Sequence, residues 1–560
     1  MSTSVSRRDF LKRCSLGVIS VAIPKLSVVY ASPPFDKVIK DATILDGTGR
    51  TPWRGDVGIT GDTIAAIGDI APEQGGNVIH ASGLHLCPGF IDIHTHSDGR
   101  ILACPTADSR VLQGITTELT GNCGYSVAPL KRADIEDELQ EFLELGIRPD
   151  WTDVASYFSR LERTRISVNH ALLLGQGRLR KSAIGLVDRK LTANELKNVL
   201  RAVEEGMDCG AFGLSTGLEY APGIYTPAEE IVSMVQIVAR QGGLYASHIR
   251  NEASGLLEAI KEAIGVGRET GVSVEISHFK AAGKSNWNKQ SAALDILDKA
   301  RSRGINVSAD AYPYTAYSTS LTILLKAWVK EGGPKAILRR LRNSDARRRI
   351  RREVTERVGE SPGDFDLIVI NSTKSERNRM AIGKNLVEIG EMWKVKPVDA
   401  ILRLLEEEET VVDFVGHGMK PENVEMVLSH PLVMIGSDGS SMAPKGKAAE
   451  SRPHPRSYGT CPRVLGHYVR ERKLFDLSTA VKKMTGMPAE KLRLTDRGRI
   501  ARGMKADLVI FDGVLVRDTA TFEDPHQYPH GIKHVLVNGT LVVENGKHTG
   551  ARPGRVLRKT

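Results

Sequence analysis

The middle of the chain, residues 87 to 497, alternates short apolar runs with longer segments in which apolar residues recur at helical spacing. This pattern predicts buried parallel strands joined by helices. The predicted strands are Phe90–Ile93, Thr116–Thr120, Asn169–Leu174, Phe212–Ser215, Gly243–Ser247, Ser273–Ser277, Asn306–Ala309 and Leu432–Ile435. Since eight such strands close a (β/α)8 barrel, we expect an α/β protein built on a TIM-like barrel.

The two ends of the chain, residues 32 to 86 and 498 to 560, show short runs of alternating polarity separated by turn residues. Such runs predict the strands of a small antiparallel sheet. Asn538-Gly539 is a typical hairpin turn between two of them. We therefore expect the two ends to meet in one small β-sandwich beside the barrel.

More than a hundred residues separate the seventh and eighth predicted strands, which is too long for an ordinary βα loop. Within this interval, residues 326 to 358 form a strongly basic helical run. One interpretation is an inserted helical lid at about residues 317 to 370. The other is a solvated basic face without a gating role.

The formal charge of +10 would ordinarily suggest a nucleic-acid partner. The excess of Lys and Arg is concentrated in residues 1 to 31 and in the basic run at 326 to 358, and the remainder is close to neutral. We therefore expect no nucleic-acid partner.

The N-terminal segment contains Arg7-Arg8 in the run Ser6–Lys12, followed by a moderately apolar stretch from Ser15 to Tyr30. It resembles a twin-arginine signal peptide, residues 1 to 31, with cleavage after Ala31. The apolar stretch is short for a membrane span. We expect export by the twin-arginine machinery to the periplasm, with no stable membrane anchor after processing; the alternative is a basic amphipathic helix.

Metal-binding side chains follow five of the predicted barrel strands. They are His94 and His96 after the first strand, Cys123 after the second, His248 after the fifth, His278 after the sixth and Asp438 after the eighth. The carboxyl ends of parallel barrel strands share one rim, so we expect these residues to converge. Imidazole, thiolate and carboxylate ligands suit zinc. Taken singly, Cys123 could instead be a small buried hydrophobe and His278 a core histidine.

Seven motifs resemble the amidohydrolase superfamily and, within it, the N-acyl-D-amino-acid deacylases (D-aminoacylases). The resemblance covers nearly all of residues 37 to 550. The motifs are Pro-Gly-Phe-Ile-Asp-Ile-His-Thr-His (88–96), Gly-Asn-Cys-Gly (121–124), Gly-Leu-Ser-Thr-Gly-Leu-Glu-Tyr-Ala-Pro-Gly (213–223), Ser-His-Ile-Arg-Asn-Glu (247–252), Ile-Ser-His-Phe-Lys (276–280), Asp-Ala-Tyr-Pro-Tyr (310–314) and His-Pro-Arg-Ser-Tyr-Gly-Thr (454–460).

The resemblance implies a zinc-dependent hydrolase that cleaves N-acyl-D-amino acids. It implies that one zinc ion is held tightly by three residues, Cys123, His248 and His278. His94, His96 and Asp438 would line a weaker neighbouring position, where the two histidines either bind a second metal or contact the developing oxyanion. Asp438 is expected to move the proton from water to the departing amine.

The resemblance also implies that Lys280, Tyr220 and Tyr312 bind the substrate carboxylate. Their alternatives are a surface lysine and core tyrosines. Three further residues are weaker candidates by position: Arg250, which is expected to share a strand face with His248, and His454 and Arg456 after the eighth strand. Cys461 departs from the family pattern, which has an aromatic residue there.

Two other functions compete with this interpretation. A cyclic-amide hydrolase of the dihydroorotase or hydantoinase kind shares the fold and the His-x-His motif, but it would be expected to carry a lysine on the fourth strand, and Phe212–Thr216 has none. A catalytically inactive exported binding protein is the second alternative. It would have no need of a base such as Asp438 beside the metal.

Overall fold

The computed structural model describes residues 34–130, 142–143, 145–445 and 449–560. The predicted signal peptide, residues 1 to 31, lies outside the described residues and stays a prediction. No helix in the described part of the chain has the length and apolar character needed to cross a membrane.

Eight parallel strands form the barrel, in sequence order around the sheet. They are Phe90–Asp92, Ile115–Thr120, Asn169–Gly175, Gly213–Gly217, Leu244–His248, Ser273–Ile276, Val307–Ala311 and Val433–Ile435. The ends of the first and eighth strands meet through a parallel bridge between Thr95 and Gly439, with Asp438 N donating to His94 O at 2.8 Å. The predicted barrel is therefore confirmed.

Amphipathic helices surround the barrel and bury their apolar faces against its strands. The longer ones are Val154–Thr164, Gln176–Ile184, Ala193–Asp208, Ala228–Arg240, Leu256–Thr270, Gln290–Ser302, Pro421–Ser429, Arg456–Arg463, Leu477–Met484 and Gly486–Lys491, with short turns at Arg100–Ala103 and Asp108–Val111. Their starts follow ordinary capping rules, since Thr192 accepts a hydrogen bond from Glu195 N at the start of the third helix.

The two ends of the chain share one sheet of nine strands. Its strands are Phe35–Ile44, Trp53–Thr60, Thr63–Gly68, Gly75–His80, His85–Pro88, Leu508–Phe511, Ile532–Val537, Thr540–Glu544 and Lys547–His548. Side chains such as Ile44, Val57, Leu86 and Ile510 enclose a common apolar core, as in a sandwich.

The structure differs from the predicted boundaries at two places. Strand His85–Pro88 crosses the expected limit at residue 86 because it pairs with Leu508–Phe511. The final residues leave the sheet and run along the barrel, where Val556 bridges to His170 on the third strand. Pairing partners far away in the chain decide both positions, and local polarity does not reveal them.

The insertion after the seventh strand is larger than the predicted helical lid at about 317 to 370. A three-stranded antiparallel sheet, Tyr317–Ser320, Ile368–Thr373 and Val412–Gly416, packs against helices Ala327–Lys330, Gly333–Arg342, Ser344–Glu360, Leu386–Trp393 and Pro397–Glu407. These elements enclose a hydrophobic core of their own. The first strand is polar and half-buried, so its sequence resembles a loop until its pairing is known.

The basic run spans helices Ala327–Lys330, Gly333–Arg342 and Ser344–Glu360, and the arginines of the last of these helices pair with carboxylates. Arg347 contacts Glu406 at 3.1 Å, and Arg351 contacts Asp399 at 2.9 Å. This helix therefore does not present a row of unpaired cations to solvent.

Candidate metal centre and active site

The backbone is left-handed at three of the predicted site residues. Cys123 and Asp438 both have φ of 52°, and His278 has φ of 36°. A side chain other than glycine in this region costs on the order of 1–3 kcal/mol, and such strain is concentrated at functional sites. All three residues come just after a barrel strand, where the chain must turn sharply to leave the rim.

The predicted ligands converge into overlapping donor groups. Cys123 Sγ lies 3.4 Å from both His94 Nε2 and His278 Nε2. Asp438 Oδ1 lies 2.9 Å from His96 Nε2 and 3.5 Å from His94 Nε2. His94 belongs to both sets, so the two predicted metal positions are directly adjacent.

His248 joins this cluster through His278. Their ring centroids are 4.6 Å apart, and His248, Glu252 and His278 form a third donor group. Both ring nitrogens of His248 are buried without a hydrogen-bond partner in the described part of the chain. Unpaired buried nitrogens are costly, and a metal ion would satisfy one of them.

The grouping differs in one respect from the predicted tight set. Cys123 shares its closest donor group with His94 and His278, whereas His248 shares one with Glu252 and His278. Cysteine, histidine and carboxylate donors within a few ångströms nevertheless fit a zinc ion.

Burial and neighbouring charges set the protonation of this cluster. Burial opposes the thiolate of Cys123, but the charges of His94 and His278 outweigh it and hold the pKa of the thiol well below its usual range. Burial also opposes the charge of His96, whereas hydrogen bonds with Asp438 and Cys123 raise its pKa to about 10. The anionic groups thus favour protonated histidines. A bound metal ion would displace those protons and supply the positive charge in their place.

Two carboxylates missed by the sequence analysis orient the histidines. Asp310 Oδ2 lies 3.2 Å from His94 Nδ1, and its Oδ1 accepts the backbone N–H of His278 at 2.9 Å. Glu252 Oε1 lies 2.8 Å from His278 Nδ1. Both carboxylates lie within motifs quoted above for the family resemblance, and that position was a signal that could have identified them as site residues. Partners of this kind fix the ring orientation of metal-binding histidines.

A cavity opens beside the donor cluster. Its barrel side includes Tyr220, His248, His278, Lys280, Tyr312 and Asp438, and its other wall comes from the insertion. Lys280 Nζ is buried and contacts Glu252 Oε1 at 2.7 Å. The hydroxyl of Tyr312 is buried and has no hydrogen-bond partner among the described residues. Tyr220 and Tyr312 are therefore placed to contact a bound molecule.

The weaker candidates occupy three different places. Arg456 Nη1 lies 2.8 Å from Asp438 Oδ2, and its guanidinium stacks over Tyr312. His454 lies behind the cavity, where its Nε2 is 2.9 Å from Ala316 O. Arg250 points away to pair with Glu262 in a separate surface depression. Its predicted strand face does not apply, because the strand ends at His248.

The insertion contributes a residue that no sequence signal suggested. Arg357 lines the cavity and contacts Glu219 Oε2 at 3.0 Å. Glu219 Oε1 accepts the backbone N–H of Glu252 at 3.1 Å. A chain of contacts therefore runs from the insertion to the carboxylate that orients His278.

Comparisons with known proteins match this architecture. The amidohydrolase family model matches residues 405–543. The chain is 36% identical over 537 residues to a D-aminoacylase of Alcaligenes xylosoxydans xylosoxydans, covering 94% of this chain and 99% of that protein. This chain belongs to the D-aminoacylase family of amidohydrolases. It is also 35% identical over 525 residues to an N-acyl-D-glutamate deacylase of the same organism, covering 94% and 96% of the two chains.

A solved structure extends the match to three dimensions. The N-acyl-D-glutamate deacylase of Bordetella bronchiseptica, complexed with zinc and a phosphonate mimic of the tetrahedral intermediate, is 33% identical, with a TM-score of 0.78 over 94% of this chain and 99% of that one. This D-aminoacylase family member is therefore a metal-dependent amidohydrolase.

The donor cluster predicts zinc binding that depends on Cys123. We expect about one tightly bound zinc ion per wild-type chain, and far less in the Cys123→Ala variant, because loss of the thiolate leaves the proposed tight site with only two protein ligands, His248 and His278. Elemental analysis after dialysis measures this. Cys104→Ala is the matched control, since Cys104 is also a partly buried free thiol and should leave the zinc content unchanged. A folded wild-type protein without metal would contradict the prediction.

Proposed function

We propose that this protein hydrolyses the amide bond of N-acyl-D-amino acids with the help of zinc, releasing a carboxylate and a D-amino acid. The observation that carries the proposal is the position of Asp438. Its carboxylate is held by His96 and Arg456 at the edge of the donor cluster that contains Cys123, and it faces a cavity. The named activities of the relatives agree with this chemistry.

Cys123, His248 and His278 would hold the tight ion, and His94, His96 and Asp438 would line the weaker position. A zinc ion held by these residues would polarise the amide carbonyl group and lower the pKa of a water molecule. The close approach of His94 to both Cys123 and Asp438 supports a site in which the two positions are coupled.

Asp438 supplies the proton transfer in this proposal. Burial opposes its ionisation, but the charge of Arg456 and the hydrogen bond from His96 hold the pKa of its carboxyl well below the usual range. The carboxylate is therefore ionised and able to accept a proton from water. It then returns the proton to the amine, since an unprotonated amide nitrogen is a very poor leaving group.

The carboxylate of the substrate would lie against Lys280, Tyr220 and Tyr312. Tyr312 is the strongest of these, because its hydroxyl is buried at the cavity wall without a partner in the described chain. Tyr220 already bonds to Thr319 of the insertion at 2.9 Å. The charge of Lys280 is partly balanced by Glu252, so it adds a cation of reduced strength.

The experiment that tests the function is a hydrolysis panel. We expect turnover of N-acetyl-D-methionine or N-acetyl-D-glutamate, much slower turnover of the matching L-forms and none of a dihydropyrimidine. Amine release measured by a ninhydrin-type assay follows hydrolysis of the acyl amino acids, and loss of ultraviolet absorbance follows ring opening of the dihydropyrimidine, which frees no amine. Turnover of the dihydropyrimidine alone would favour the cyclic-amide alternative, and binding without turnover would favour an inactive binding protein.

Replacement of the proposed base gives a second test. Asp438→Asn should lower kcat by about 10²- to 10⁴-fold, the usual contribution of general acid–base catalysis, while the Cys123 set still holds zinc. Steady-state kinetics and metal analysis measure both. Asp518→Asn is the control, because Asp518 pairs with Arg463 at 3.0 Å outside the cavity. A fully active Asp438→Asn variant would remove Asp438 from the mechanism.

The role of Tyr312 is testable by removing one oxygen atom. Tyr312→Phe should lower kcat/KM about tenfold, since one lost hydrogen bond to a charged group is worth roughly 1.5 kcal/mol. Tyr314→Phe is a close control: the Tyr314 hydroxyl is also buried without a described partner but lies outside the cavity with Asp438. Equal effects of the two variants on kcat/KM would dismiss the carboxylate-binding role.

A further inference from the structure

The segment that carries Asp438, residues 437 to 441, is fixed along its whole length. Asp438 has a left-handed backbone, and its N–H donates to His94 O at 2.8 Å. Ser440 Oγ donates to His96 O at 2.9 Å. Hydrogen bonds therefore join the segment directly to the backbone of His94 and His96, which follow the first strand.

Behind this segment lies a buried cluster of three charged residues, Asp92, Arg110 and Glu118, which we name the Arg110 cluster. Each is at least nine-tenths buried. Arg110 Nη2 donates to Ser437 Oγ at 2.8 Å and also to Asp92, and Asp92 Oδ1 accepts the N–H of Ser437 at 2.9 Å. The start of the segment is thus held by both its backbone and its hydroxyl group.

The same cluster holds the other end of the segment. Arg110 Nε lies 2.8 Å from Glu118 Oε1, and Glu118 Oε2 accepts a hydrogen bond from Ser441 Oγ at 3.2 Å. Ser97 Oγ donates to Glu118 at 2.8 Å and accepts the N–H of Ser441 at 2.8 Å. Both ends of the five-residue segment therefore contact carboxylates that lie against one guanidinium group.

None of the three charged residues lines the described cavity, so contact with substrate does not explain them. A buried charge cluster is also a poor device for stability, because apolar residues of similar volume often stabilise a fold equally well. Its distinctive contribution is fixed geometry. A carboxylate on a strained backbone needs such geometry to be held ready for proton transfer.

We propose that Arg110 is a positioning residue for Asp438, acting through Ser437 and Ser441. The inference rests on the proposed function, in which Asp438 transfers the proton. Arg110 does not touch the reacting atoms. It joins the first strand, the second strand and the Asp438 segment through its contacts with Asp92, Glu118 and Ser437. The Asp438 carboxylate therefore keeps its position relative to the donor cluster.

Removal of Arg110 would leave two buried carboxylates without a cation. The positioning role is therefore tested with variants that keep all three charges of the Arg110 cluster. Ser437→Ala and Ser441→Ala each remove one hydroxyl contact with the cluster. Each should lower kcat about tenfold or more, with KM, zinc content and melting temperature close to wild type. Ser167→Ala is the control, since its buried hydroxyl bonds to Ala551 O at 2.8 Å far from the rim.

A double-mutant cycle shows whether the effect passes through Asp438. In the Asp438→Asn background, Ser437→Ala should cause no further loss of kcat, because the group being positioned is already disabled. The same fold-loss in both backgrounds, or an unchanged kcat in both single serine variants, would overturn the positioning role. Full activity of Asp438→Asn alone would instead overturn the proposed function, and this inference with it.

Discussion

Closure of the parallel barrel between its first and eighth strands is the constraint on which the site depends. The bridge from Thr95 to Gly439 joins residues more than three hundred positions apart. It brings His94 and His96 against Asp438, and the intermediate strands then place Cys123 and His278 beside them. The donor cluster is therefore a consequence of barrel closure, since no two adjacent loops could assemble these side chains alone.

Closure at this point also concentrates negative charge. Cys123, Asp310, Asp438 and Glu252 surround the histidines, and burial makes each anion costly unless a cation is near. Arg456 and Lys280 supply part of the positive charge that compensates these anions. Burial and the charge of Lys280 lower the pKa of His278, but Glu252 and Cys123 outweigh them and raise it to about 9. Metal ions bound at these donors would supply the missing positive charge, which agrees with the unpaired nitrogens of His248.

The sequence predicted the barrel and its rim residues because both depend on local periodicity and on strand order. It did not predict Glu252, Asp310 or the Arg110 cluster, whose roles come from contacts across the barrel. Arg250 was misplaced because strand alternation was extended past His248, where the strand ends. The insertion was underestimated for a similar reason, since the polar strand Tyr317–Ser320 is recognisable only by its pairing with Val412–Gly416.

The insertion divides the site into two parts with different demands. The chemistry lies on the barrel rim, where strained residues are held by buried charges. The opposite wall, including Thr319 and Arg357, belongs to a unit with its own hydrophobic core. Contact of Arg357 with Glu219, and of Glu219 with Glu252, is one of the points at which the two parts are linked. The hydrogen bond between Tyr220 and Thr319 is another. A change in the wall that breaks the contact between Arg357 and Glu219 would therefore reach the orientation of His278, whereas a change at Thr319 would act on Tyr220.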